Sequence, residues 1–111
     1  MDRCDLLCLD LPVAERLRDA LDPERAAALA GRLKLLGDPT RLLIALALRE
    51  HELCGCDLAW ITGQSEQVVS HHLGRLRAAG LAGSRREGKV VFTSLTETGT
   101  ALLDAVEPVS A

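Results

Sequence analysis

The sequence predicts a mainly α-helical domain that carries one small β-hairpin. Three observations lead there. Asp22-Pro23 and Asp38-Pro39 each join a capping carboxylate to the residue favoured at the first helical position. Gly37, Gly63 and Gly80 punctuate stretches whose apolar residues recur every three or four positions. After Gly80 the pattern changes to two short runs, Leu81–Arg85 and Lys89–Leu95, the second rich in Val and Phe with partial alternation.

Taken in order, Pro12 permits a helix start, and Val13 to Leu21 has helical apolar spacing. A second helix runs from Pro23 to about Leu36, with Ala26, Leu29, Ala30, Leu33 and Leu36 on one face. A third runs from Pro39 to about Arg49, with Leu42, Leu43, Leu46 and Ala47 as its buried stripe. It is apolar nearly all round, which places it centrally in the core. Glu50 to Leu53 is a polar break, and a short helix follows from Asp57 to Ile61. Thr62-Gly63-Gln64 is a tight turn, Ser65 an N-cap, and Glu66 to Ala79 a longer helix with Val69, Leu73 and Leu76 inward. Arg86-Glu87-Gly88 is the expected hairpin turn. Thr96 caps a last helix from Glu97 to about Val106, which Pro108 closes.

Composition narrows the function classes. The chain has 111 residues, 48% hydrophobic and 26% charged, which describes an ordinary globular domain. With one Trp, one Phe and no Tyr, the core must be aliphatic, and Trp60 and Phe92 are expected within it. So small a domain leaves apolar surface that a second copy would cover, so a homodimer is expected. No stretch approaches roughly 20 apolar residues, so no membrane span is expected. The acidic start Met1-Asp2-Arg3-Cys4-Asp5 is not expected to act as a signal peptide, and the cytoplasm is the expected address. Neither GxxxxGK[ST] nor GxGxxG occurs, and Ser65, Ser70, His71 and His72 form no triad in a known context. The expectation is no enzyme and no small organic substrate.

The net charge of −3 hides an uneven distribution. Between Gln67 and Thr96 stand Arg75, Arg77, Arg85, Arg86 and Lys89 against Glu87 alone, a net +4, so the remainder is −7. A basic face on an acidic protein marks an anion-binding surface, or else a solvated helix and hairpin. Two helices joined by a glycine turn and followed by a hairpin make a winged helix-turn-helix, whose second helix enters the major groove. In that frame Ser65, Gln67, Ser70 and His71 offer donors and acceptors to base edges, and Val68 a contact for a thymine methyl. Arg75, Arg77, Arg85, Arg86 and Lys89 would meet phosphates of double-stranded DNA.

The four cysteines come as two pairs, Cys4-x3-Cys8 and Cys54-Gly55-Cys56. An extended backbone turns the sulfurs of Cys54 and Cys56 to one side, and a helical turn does the same for Cys4 and Cys8. Each pair is then a two-thiolate chelate, and together they form a four-sulfur set for a thiophilic metal. This would join residues 1–11, a metal-binding arm, to residues 12–111, the domain for DNA binding and dimerisation. Other readings of the same cysteines are small buried hydrophobes, a disulfide redox switch, a purely structural zinc site, or a nucleophile at Cys54 or Cys56 with His51 as base.

Several stretches carry a resemblance. They are Leu36-Gly37-Asp38-Pro39-Thr40-Arg41, Glu52-Leu53-Cys54-Gly55-Cys56-Asp57-Leu58-Ala59, Val69-Ser70-His71-His72-Leu73 through Leu81, and Arg86-Glu87-Gly88-Lys89-Val90-Val91-Phe92. Together they resemble the ArsR/SmtB metal-responsive repressors over roughly residues 24–106. The resemblance implies a dimeric winged-helix repressor that binds operator DNA when metal-free and is released by metal. The cysteine pattern is similar to the cadmium, lead and zinc sensors of the CadC type, which implies Cys4, Cys8, Cys54 and Cys56 as ligands of Cd(II), Pb(II) or Zn(II). The third cysteine of many arsenic sensors is missing from Asp57-Leu58-Ala59. The family's second site, on the last helix, needs His residues, and none follows His72. Arsenite sensing or thiol redox sensing on the same fold are the alternatives.

Overall fold

The computed structural model describes residues 10–108. They form six helices and three strands: α1 (Leu11–Ala20), α2 (Pro23–Leu35), α3 (Pro39–Glu50), β1 (Leu53–Cys54), α4 (Gly55–Thr62), α5 (Glu66–Ala78), β2 (Ala82–Glu87), β3 (Val90–Leu95) and α6 (Glu97–Val106). The chain divides into two compact units, one up to Gly31 and one from Arg32 onward.

In the first unit, Asp10 caps α1 by accepting from the Val13 N–H at 3.2 Å. Asp22 accepts from the Glu24 N–H at 3.0 Å where α2 begins. No residue of α1 is buried within the single chain, and Leu11, Leu17, Leu21 and Leu29 are exposed.

The second unit holds the core. Ile44 and Leu48 of α3, Leu58 of α4, Val69, Leu73 and Leu76 of α5, and Leu81 and Ala82 at the start of the wing pack together. The inward face expected for α5 is borne out in Val69, Leu73 and Leu76. The stripe expected for α3 is not. Arg41, Ile44, Ala45 and Leu48 are its buried residues, while Leu43 is exposed. A helix apolar on every side carries little information about which side faces inward.

The sheet is three-stranded and antiparallel, in the order β1-β3-β2. The sequence signalled only the hairpin. In β1, Leu53 pairs with Thr93 and Cys54 with Phe92, so the polar break ends in a two-residue strand. The hairpin turn also sits later than expected. β2 continues to Glu87, which pairs with Val90, and Gly88-Lys89 makes the turn with Gly88 at φ +62°. A positive φ at the first central residue suits the twist of a two-residue hairpin, and glycine reaches it without strain.

Gly80, Leu81 and Thr96 fasten α6 to the start of the wing. The Thr96 hydroxyl donates to the Gly80 carbonyl at 2.7 Å, accepts from the Gly99 N–H at 3.1 Å, and the Thr96 N–H donates to the Leu81 carbonyl at 3.1 Å. Gly99 lies so close that a Cβ there would overlap the Leu81 carbonyl oxygen. At the other end of α6, Arg49 donates to the Asp104 carboxylate at 3.3 Å, to the Glu107 backbone carbonyl at 2.9 Å, and to the Glu107 carboxylate.

Candidate nucleic-acid interface and thiol centre

The turn between α4 and α5 sets the reading helix. Gly63 takes the left-handed conformation at φ +70° and closes α4 by donating its N–H to the Ala59 carbonyl at 2.9 Å. The Thr62 hydroxyl donates to the Leu58 carbonyl at 2.7 Å and accepts from the Gln64 N–H at 3.3 Å. Ser65 then caps α5 by accepting from the Val68 N–H at 3.1 Å, as its position predicts.

Ser65, Gln67, Val68, Ser70, His71, Arg75 and Arg77 are all exposed on α5. His72 is not part of that surface. It is buried, with Nδ1 lacking a hydrogen-bond partner. Desolvation, then the charge of Arg41, pushes its pKa below the ordinary histidine range. Arg41 donates from Nη1 to the Leu35 carbonyl at 2.9 Å, and its backbone N–H donates to Asp38 at 3.0 Å. That hydrogen bond is the main reason the Asp38 carboxyl is held below the usual carboxylate range.

The basic residues divide into two groups. Arg75 and Arg77 on α5, with Arg86 and Lys89 in the wing, are exposed, and none takes part in a salt bridge among the described residues. Arg85 is committed within the protein. It pairs with Glu52 at 2.7 Å and Glu87 at 2.8 Å, and its guanidinium sits 4.7 Å from the Phe92 ring centroid. These carboxylates raise its pKa, and Arg85 holds the Glu52 carboxyl low in return. Phe92 is therefore half-buried beneath a cation and is not a core residue.

Cys54 and Cys56 are free thiols, the first half-buried and the second exposed. The expected extended backbone through both is replaced by a strand-to-helix junction: Cys54 ends β1 and is the N-cap of α4, while Cys56 lies in the first turn. The cause is Asp57, which turns back and accepts from the Cys54 N–H at 3.4 Å and from its Sγ at 3.2 Å. Cys56 Sγ donates to Glu66 Oε1 at 3.1 Å. That bond and the negative charge beside it push the Cys56 thiol up, and the neighbouring Cys54 adds to the effect.

His51 Nδ1 lies 2.6 Å from the Glu52 carbonyl. Cys4 and Cys8 lie outside the described residues. Among the described residues no three His, Cys, Asp or Glu side chains are grouped to hold a metal. The donor chemistry fits a thiophilic ion all the same: two adjacent sulfurs supply half of a tetrahedral shell and leave two positions for other ligands.

Trp60 was expected in the core but is 89% exposed. Leu58 is the buried residue of α4, and Trp60, two positions on, stands on the other side of the helix. Trp60 lines an open cleft of about 290 Å³ with Cys56, Ala59 and Glu66. Sequence spacing gave no sign of Glu66 as a partner of Cys56, since ten residues and a turn separate them.

Known proteins resemble this arrangement. The family described as bacterial regulatory protein, arsR family, matches residues 38–84. The cadmium resistance transcriptional regulatory protein CadC of Listeria innocua is 36% identical over 90 residues, covering 80% of this chain and 76% of that one. A transcriptional repressor SmtB homolog of Synechocystis is 36% identical over 98 residues, covering 87% and 74%. The solution structure of a homodimeric winged helix-turn-helix DNA-binding domain, Mb0332 of Mycobacterium bovis, superposes with a TM-score of 0.62 at 29% identity, covering 77% of this chain and 82% of that one. All three are named as regulators, repressors or DNA-binding domains, and none as an enzyme. With the glycine turn, the capped reading helix and the wing in place, this chain belongs to the ArsR family of bacterial regulatory proteins.

Proposed function

We propose that the protein is a homodimeric, metal-sensing transcriptional repressor. It holds operator DNA when metal-free and lets go when a thiophilic ion, Cd(II), Pb(II) or Zn(II), is bound by Cys4, Cys8, Cys54 and Cys56. The observation that carries this reading is the position of Cys54 and Cys56 at the first turn of α4, the helix that leads directly into the reading helix α5. The relatives named for cadmium resistance and as an SmtB homolog support a regulatory metal.

On DNA, Ser65, Gln67, Val68, Ser70 and His71 face the base edges, and Arg75, Arg77, Arg86 and Lys89 face phosphates. Arg85 shapes the wing that carries Arg86. Residues 1–11 act as the arm that brings the second sulfur pair, and residues 12–111 bind DNA and dimerise. The first unit exposes Leu11, Leu17, Leu21 and Leu29, the second exposes Leu33 and Val106, and each thus offers apolar surface to a second copy. No helix of the described residues is long and apolar enough to cross a membrane.

Cys56 favours metal over redox chemistry. The Glu66 carboxylate 3.1 Å from its sulfur adds negative charge that attracts a divalent cation and offers nothing to a disulfide. The decisive experiment titrates a labelled operator duplex, selected from a random pool by metal-free protein, with and without cadmium. Cadmium is expected to weaken wild-type binding by roughly 5–150-fold, the span of ordinary coupling energies, and to leave Cys54→Ser unaffected. Unchanged wild-type affinity overturns the reading as a sensor and leaves a DNA-binding protein.

A further inference from the structure

One hydrogen bond joins the candidate ligand helix to the reading helix through side chains. Cys56 lies in the first turn of α4, and Glu66 is the first residue of α5. The Cys56 thiol donates to Glu66 Oε1 at 3.1 Å across the Gly63 turn. Both side chains line the cleft that also exposes Trp60. Asp57 is engaged on Cys54, so Glu66 is the carboxylate that serves Cys56.

A thiol has a single hydrogen to donate. A sulfur that holds a cation has none, because metal binding displaces that proton to solvent. Metal at Cys56 and the hydrogen bond from Cys56 to Glu66 are therefore mutually exclusive. Only one of the two states fastens the start of α5 to α4.

We propose that Glu66 is the positioning residue through which occupation of the thiol site reaches the reading helix. It works as the acceptor of a latch that closes when Cys56 is metal-free and opens when the sulfur is taken. The inference rests on the reading of Cys54 and Cys56 as metal ligands. Glu66 does not complete the metal shell in this scheme, consistent with the absence of any three-ligand group among the described residues. The site differs between its states by one interhelical bond at the base-reading end of α5, beside Ser65 and Gln67. Coupling of metal to DNA then needs no movement of the core.

The test uses the full chain as wild type, Glu66→Ala and Glu66→Gln. Cadmium affinity is read from ultraviolet sulfur-to-metal charge transfer under chelator competition. DNA affinity is read from anisotropy of the selected duplex, with and without cadmium. Glu66→Ala loses both the bond that competes with the metal and a charge that attracts it, so it is expected to keep wild-type stoichiometry and a cadmium affinity within tenfold of wild type, while its cadmium-driven loss of DNA affinity shrinks at least fivefold. Glu66→Gln retains an oxygen that accepts from the thiol and is expected to keep the wild-type loss. A full wild-type loss in Glu66→Ala overturns the latch. So does a tenfold fall in its cadmium affinity, which would make Glu66 a ligand. A wild type that shows charge transfer yet keeps its DNA overturns the sensor reading and the latch together.

Discussion

Arg85 lies over the ring of Phe92, its guanidinium carbon 4.7 Å from the centroid, while its nitrogens hold Glu52 and Glu87. One side chain thus ties both wing strands to the segment before β1. The consequence is a division of labour among the wing cations. Replacing Arg86 or Lys89 with alanine is expected to lower the slope of log affinity against log salt by about 1.8 each, the loss of one phosphate contact in each protomer of the dimer. Arg85→Ala is expected to lower thermal stability and leave that slope near its wild-type value. Salt titrations of the three variants on one duplex check the division.

Gly99 carries the closest packing constraint in α6, against the Leu81 carbonyl. Gly99→Ala forces backbone to move, because the obstructing atom is not on a flexible side chain. It is expected to destabilise the protein by roughly 1–3 kcal/mol, the usual range for overpacking. Urea unfolding should show the midpoint falling with the slope unchanged.

His72 makes stability depend on pH. Burial lowers its folded pKa below the ordinary histidine value of 6.5, and it faces Arg41, Asp38, His71 and Arg75. A depressed folded value means that the unfolded chain binds the proton more readily. Stability is therefore complete above pH 6.5 and falls as pH drops toward the folded value, by at most about 1.4 kcal/mol per pH unit for one proton. Urea unfolding between pH 7.5 and about 5 should show this fall, and His72→Leu should flatten it.

Trp60 is the sole tryptophan of the chain and shares its cleft with Cys56. Its emission is expected to be that of a solvated indole, fully open to acrylamide. Trp60→Ala should change stability by no more than about 0.5 kcal/mol, as for an exposed side chain without special contacts. Cadmium added to the metal-free protein should change the emission, and Cys56→Ser should abolish the change.

The starts of α3, α5 and α6 were legible because they are local, whereas α4 begins at Gly55, two residues before the expected Asp57. Asp38, Ser65 and Thr96 each accept from the backbone N–H three residues on, so a capping residue next to an apolar period was enough to find them. The exposed face of α5 was legible for the same reason. What the sequence did not reveal depends on contacts between distant segments. β1 exists because Leu53 and Cys54 meet Thr93 and Phe92, and two residues carry no periodicity of their own. His72 carries no local sign of burial, which depends on the packing of α5 against the core and on Arg41 and Asp38 nearby. Arg85 reads as a phosphate contact until Glu52 arrives from 33 residues away. At the candidate metal site, the residue types and their pairing were visible, but the Asp57 and Glu66 partners of the two thiols were not.

The pairing of Cys54 with Phe92 has a mechanical consequence. Residues 53–56 are at once an edge strand of the wing sheet and the opening turn of the helix that precedes α5. That stretch therefore adjoins two neighbours at once, the hairpin that carries Arg86 and Lys89 and the helix that leads into α5. On the proposed reading, a metal ion held there adjoins the sheet of the wing as well as the helix that carries the latch.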